Sequence, residues 1–181
     1  MRSIISFLCL TVVLSLSASA FAADKENTLY IDLKDGRVVI EMRPDLAPKH
    51  VAQIKKLARA GKYDGVVFHR VIAGFMAQTG DPDGTGMGGM GDPLPAEFSK
   101  EPHVRGTVSM ARTSDPNSAR SQFFICFAPQ PSLDGQYTVW GKVVSGMEFV
   151  DKIKKGAPGS GAVAAPQDKM IRVRVAADVK E

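Results

Sequence analysis

The distribution of apolar residues constrains this chain more than any other feature of its sequence. Eight short segments alternate or run apolar at strand length: 28–33, 37–42, 66–72, 75–78, 107–111, 122–127, 137–143 and 171–176. Lys34-Asp35-Gly36 joins the first two as a hairpin signal, because Asp-Gly tolerates positive φ. Helical spacing occurs in only two places. Pro48 suits the first turn of one helix, where its missing N–H does no harm, and Val51, Ile54, Leu57 and Ala58 then form one face before Gly61. The second starts near Met147, carries Phe149, Val150 and Ile153 as its buried stripe, and ends at Lys154-Lys155, whose charge suits a helix C-terminus. Without β-α-β alternation a doubly wound parallel sheet is excluded. A mainly β fold is expected, an antiparallel barrel with helices over its open ends, although the pattern alone does not demand closure.

The first 22 residues read as a signal peptide. Arg2 supplies the positive start, an apolar run follows from Ile4 to Leu16, and Ala20-Phe21-Ala22 fits the small-x-small rule for cleavage. The run is too short to cross a bilayer comfortably. Residues 23–181 then form one domain with a single core. The reading predicts export to the periplasm, with secretion beyond the cell as the other destination and no membrane insertion after cleavage.

Removing the leader removes Arg2, so the formal charge falls from +4 to +3. The basic residues are scattered, which argues against nucleic acid as a partner. Only Cys126 remains in the mature chain, within the apolar run Phe123-Phe124-Ile125-Cys126-Phe127, so it is expected to be a packed core residue. With no apolar patch or heptad, the expected state is a monomer.

The segment from Gly80 to Gly91 contains Gly84-Thr85-Gly86-Met87-Gly88-Gly89, a formal G-x-G-x-x-G. Pro93 and Pro95 prevent the helix that would hold a pyrophosphate, so a turned surface loop is expected and no cofactor. His50, His69 and His103 share no metal-ligand spacing with one another or with Cys126, and no G-x-S-x-G elbow is present.

Four segments carry a resemblance. Phe68-His69-Arg70-Val71-Ile72-Ala73-Gly74-Phe75-Met76-Ala77-Gln78 closely resembles the signature stretch of cyclophilins. Gly106-Thr107-Val108-Ser109-Met110-Ala111 with Ser121-Gln122-Phe123-Phe124-Ile125-Cys126, then Leu133-Asp134-Gly135, then Trp140-Gly141-Lys142-Val143, follow in that family's order. The similarity covers essentially the whole chain after the leader. It implies a closed eight-stranded antiparallel β-barrel capped by two α-helices, with a substrate groove outside the packed barrel. It also implies peptidyl-prolyl cis-trans isomerase activity on proline-containing polypeptides, assisting the folding of exported proteins. The alternative is a chaperone or adaptor that holds proline segments without turnover.

By the same resemblance Arg70 takes the catalytic position and Gln78 supports it. Phe75, Met76, Phe124 and Leu133 match the seat of the proline ring, though as strand residues they also suit a core. Gln122 and Ala111 match contacts to the substrate backbone. His69 is expected to be structural and to point away from Arg70. The chain departs from the best-known eukaryotic members at two groove positions and again beside Ala111. Ser132 stands where they carry tryptophan, Tyr137 where they carry histidine, and Arg112 replaces a smaller polar residue. Weak binding of the inhibitor cyclosporin and an altered substrate preference are therefore expected.

Overall fold

The computed structural model describes residues 24–180, so the leader read into residues 1–22 lies outside the described residues. Eight strands form one antiparallel sheet: β1 (Thr28–Leu33), β2 (Gly36–Met42), β3 (Arg70–Ile72), β4 (Met76–Thr79), β5 (Thr107–Met110), β6 (Phe123–Cys126), β7 (Val139–Ser145) and β8 (Arg172–Val175). Their order across the sheet is β3-β4-β6-β5-β7-β2-β1-β8. Two helices accompany them, α1 (Pro48–Arg59) and α2 (Met147–Asp151).

Alternation explains which side faces the core. Leu29, Ile31 and Leu33 on β1 and Val38, Ile40 and Met42 on β2 point inward and are buried. Val51, Ile54, Leu57 and Ala58 of α1 join the same cluster, as the helical spacing predicts. At its centre Trp140 meets Phe123 edge-on at 5.4 Å, and Phe123 meets Tyr63 edge-on at 5.8 Å. The Tyr63 hydroxyl donates to the Ser121 carbonyl at 3.0 Å, so this large buried ring keeps its polar end satisfied.

The closed barrel expected from the resemblance is not what the sheet shows: β3 and β8 are its two edges and do not pair with each other. The third strand explains why. Residues 66–72 read as one strand, yet only Arg70–Ile72 joins the ladder to β4. The stretch ahead of it exchanges hydrogen bonds with a non-strand segment instead. Gly65 N–H donates to Met170, Met170 N–H to Val66, Phe68 N–H to Asp168, Val163 N–H to His69, and Val71 N–H to Gly161. The segment 161–170 thus fills the gap between the edges with irregular backbone.

The second helix is shorter than its apolar stripe suggests. It ends at Asp151, and Ile153 is buried beyond its last turn. The chain leaves the helix to reach β3, where Gly156 N–H donates to the Val71 carbonyl at 2.8 Å. Lys155 still serves the helix end as its charge predicts, donating to the carbonyls of Asp151 and Ile153 at 2.6 and 2.9 Å. Gly146, at φ 90°, starts this helix where a Cβ would stand 2.4 Å from the Arg37 carbonyl, so only glycine fits.

Candidate active site

On β3, β4 and β6 the residues facing away from the core form a second, separate surface. Arg70 lies opposite Gln78, Gln78 opposite Phe124, and Met76 opposite Cys126. The intervening residues Val71, Ala77, Phe123 and Ile125 all belong to the main core. Met76, Phe124 and Cys126 make a distinct buried cluster, with Ile72, Phe75, Ala111, Leu133 and Tyr137 packed partly buried around it. The two roles that the sequence left open for Phe75, Met76, Phe124 and Leu133 are therefore separated: these residues line an outer pocket and are not part of the main core.

That pocket encloses about 120 Å³ and is lined by Arg70, Phe75, Met76, Gln78, Ala111, Arg112, Phe124, Leu133 and Tyr137. The residues assigned catalytic or substrate-binding roles from the sequence are thus brought to one place except Gln122, which stands one step away. A chain of hydrogen bonds links it back. Gln122 Nε2 donates to the carbonyls of Gly86 and Gly88 at 3.0 and 2.7 Å. Gln78 Nε2 donates to Gln122 Oε1 at 2.9 Å, and Arg70 Nη1 donates to Gln78 Oε1 at 3.3 Å. Because both amides accept and donate along one direction, each fixes the orientation of the next. Arg70 Nε is held from the other side by the Ser160 carbonyl at 3.1 Å. No carboxylate pairs with Arg70 among the described residues, so its charge is uncompensated at the pocket edge.

The pocket floor has its own support. The His103 ring stacks on Phe124 with centroids 6.2 Å apart, and Tyr137 meets Phe124 edge-on at 5.8 Å. His103 is fixed by Asp134 at 2.9 Å through Nδ1 and by Ser109 at 3.1 Å through Nε2. Sequence reasoning missed this role, because Asp134 is 31 residues away and no local spacing announces the pair. Arg112 closes the rim: its guanidinium carbon lies 4.6 Å from the Tyr137 ring centroid, and it donates to the Gln136 carbonyl at 3.0 and 3.1 Å. Ser132 is exposed in the short 3₁₀ turn Pro131–Leu133 beside that rim.

Cys126 and His69 have no place in bond-making chemistry. Burial pushes the Cys126 thiol up to about 12, so it stays protonated and packs beneath Met76 and Phe124. His69 is buried against the glycine-rich loop, where a Cβ on Gly86 would lie 3.3 Å from its ring. Burial lowers its pKa and keeps it neutral.

The loop itself explains why its G-x-G-x-x-G resemblance is formal only. Its amides surround a carboxylate of the same chain. Asp81 accepts from the N–H groups of Asp83, Thr85, Gly86 and Gly88 at 3.0, 2.9, 2.6 and 3.2 Å, and from the Thr85 hydroxyl at 3.1 Å. The donors that would cradle a phosphate are already occupied. Burial pushes the Asp81 pKa up, but these donors outweigh it and hold the carboxyl below its ordinary range.

A greasy pocket edged by a guanidinium that no carboxylate among the described residues neutralises can seat a small ring and offer a strong donor to an atom that becomes basic. The comparisons agree with that chemistry. The family described as cyclophilin type peptidyl-prolyl cis-trans isomerase/CLD matches residues 28–175. A probable peptidyl-prolyl cis-trans isomerase of Brucella suis is 59% identical, across 93% of each chain. Peptidyl-prolyl cis-trans isomerase B of Bacillus subtilis is 46% identical, across 72% of this chain and 92% of that protein. Among solved structures, a cyclophilin from Hirschia baltica superposes with a TM-score of 0.77 at 29% identity, over 87% of this chain and 77% of that one. A Cryptosporidium parvum cyclophilin type peptidyl-prolyl cis-trans isomerase, crystallised in the presence of the dipeptide Ala-Pro, gives 0.74 at 28% identity, over 82% of this chain and 98% of that one. With an outer pocket of this make-up and matches across nearly its whole length, the chain belongs to the cyclophilin-type peptidyl-prolyl cis-trans isomerases.

Proposed function

We propose that this isomerase works outside the cytoplasm on X-Pro bonds of exported polypeptides as they fold, with Arg70 as its catalytic residue. The observation that carries the assignment is the Arg70 guanidinium, unpaired by any carboxylate among the described residues and aligned by Gln78 at the edge of the apolar pocket.

The chemistry asked of the site is modest. Resonance gives the peptide C–N bond a rotational barrier of about 18–20 kcal/mol. X-Pro isomers differ by only about 0.5–1 kcal/mol and exchange over tens of seconds, so a catalyst must stabilise the twisted state and favour neither isomer. Shortening that exchange to milliseconds takes about 4–5 kcal/mol off the barrier. In the twisted state the prolyl nitrogen loses resonance and recovers its lone pair. A hydrogen bond from Arg70 to that nitrogen is stronger there than to either planar form, which is differential binding of the transition state. Met76, Phe124, Leu133 and Phe75 seat the proline ring while the flanking carbonyl swings. Gln78 and Gln122 steady the guanidinium and, with Ala111, contact the substrate backbone. No cofactor or metal enters this scheme.

Exchange of an Ala-Pro peptide followed by NMR line broadening tests the enzyme. Binding without accelerated exchange would leave a proline-segment chaperone in its place.

Export rests on the leader read from residues 1–22. Mass spectrometry of the full-length protein expressed in a two-membrane bacterium is expected to give a periplasmic chain starting at Ala23. An intact chain starting at Met1 in the cytoplasm would remove the export reading.

The serine at the rim carries a third expectation. Ser132 offers neither a large ring nor an indole N–H, so cyclosporin binding is weak. Ser132→Trp is expected to tighten it about tenfold, the worth of one added hydrogen bond with some ring burial. Equal affinities by calorimetry would show that Ser132 is not the cause.

A further inference from the structure

A second pocket of about 320 Å³ adjoins the proline seat, sharing Gln78, Ala111 and Arg112 with it. We propose that this pocket selects substrates with a carboxylate side chain close to the proline, through Arg120 and Arg112. The inference rests on the isomerase reading and adds to it a class of preferred substrate.

Charge pairing across the molecule singles out this place. Among the described residues Arg37, Arg43, Arg59, Arg105 and Arg174 are each ion-paired to a carboxylate. Arg70, Arg112 and Arg120 are not, and all three border the continuous surface of the two pockets. Arg172, on the edge strand β8, is the remaining unpaired arginine. Among the described residues no acidic side chain lines the second pocket. Asp81 lies buried nearby, but its oxygens are occupied by loop amides.

Arg120 is also held for the task. Its Nε donates to the Gly91 carbonyl at 2.8 Å. Its stem lies over Gly89, where a Cβ would stand 3.4 Å from the Arg120 Cδ. This leaves both terminal amino groups of the guanidinium without a partner among the described residues, and they form the planar donor pair that matches a carboxylate. Arg112 contributes differently. Its donors are largely committed to backbone carbonyls of Thr113 and Gln136, so it supplies fixed positive charge at the boundary between the pockets. Thr113 and Ser118 complete the wall but add no donor, because the Thr113 hydroxyl donates to Ser118 Oγ at 2.8 Å and the Ser118 hydroxyl to the Asp115 carbonyl at 2.6 Å, so recognition of the anion falls to Arg120. An extended peptide seated by its proline places its next side chains about 3.3 Å apart along the groove, so a residue within three positions of the proline reaches this wall.

The test uses Ala-Pro peptides carrying Glu, Gln or Lys at each of the three positions on either side of the pair, with kcat/KM measured for each. The mature protein is expected to favour Glu over Lys about fivefold at a position on one side only, as a partly exposed ion pair allows. The ratio should fall towards one in Arg120→Gln and invert in Arg120→Glu, with circular dichroism confirming that both variants are folded. Equal rates for all peptides in the wild-type protein would overturn the inference and leave the isomerase intact. A preference that survives Arg120→Glu would overturn its assignment to this pocket. Failure to accelerate any peptide would bring down the isomerase reading, and the inference with it.

Discussion

Arg70→Ala is expected to lower kcat/KM by about 10²–10³-fold, the usual consequence of deleting one donor aimed at charge that develops in a transition state. Peptide affinity should change little. The pocket floor of Met76, Phe124 and Leu133 does not depend on the guanidinium, and ground-state binding is mainly apolar. The measurement is NMR exchange of an Ala-Pro peptide at saturating and subsaturating concentrations, which separates kcat from KM. Arg70→Lys is the informative companion. It keeps the charge but loses the fork that reaches Gln78 and Ser160 together, so it should recover only a small part of the rate. A variant that isomerises as fast as the parent would show that pocket shape alone twists the bond.

The second large effect falls on a residue outside the pocket. Asp81→Asn is expected to cost about 3 kcal/mol, because it replaces charge-assisted acceptors with an amide whose own N–H groups face loop donors. For a domain of this size that lowers Tm by about 6–12 °C. The pH dependence identifies the cause. Asp81 is held below its ordinary pKa of 3.8 in the folded protein, so its contribution is complete above that value and is lost as pH falls through the lowered one. The gap between wild type and variant should therefore be constant from neutral pH down to about 5 and close in stronger acid. A gap that persists in strong acid would mean that the variant is harmed by shape and not by lost charge. Activity should fall as well, through kcat more than KM. The loop carbonyls of Gly86 and Gly88 anchor Gln122, and through Gln78 they align Arg70.

Much of this arrangement is legible in the residues themselves. Period-two burial on β1 and β2 and the helical face of α1 follow directly from side-chain spacing, because each buries one side only. The outer pocket is harder to read. Met76, Phe124 and Cys126 are as apolar as any core residue, and only their alternation with Val71, Ala77, Phe123 and Ile125 shows that they face the other way. Residues 66–69 are apolar enough to read as strand, yet their partners Val163, Asp168 and Met170 lie in a stretch interrupted by Ala164-Ala165-Pro166 that carries no strand signal, so neither the short β3 nor the open edge could be foreseen. The His103–Asp134 pair and the place of Asp81 inside its loop are products of tertiary approach and turn geometry. Composition does not encode them.

The open seam between β3 and β8 has a consequence for how this molecule comes to life. Arg70 sits on an edge strand, and the carbonyl that holds its Nε belongs to Ser160, 90 residues further along the chain. The backbone that fills the seam comes later still, from residues 161–170, just ahead of β8, which pairs with β1. Contacts of such long sequence separation form slowly, since the intervening loop must close before they bring any gain. A chain in which β1 to β7 have formed but residues 160–175 have yet to dock can thus possess its apolar seat, while its guanidinium has nothing to brace it from behind. Such a chain would bind proline segments before it can turn them over, and catalytic competence would mark the final closure of its own fold.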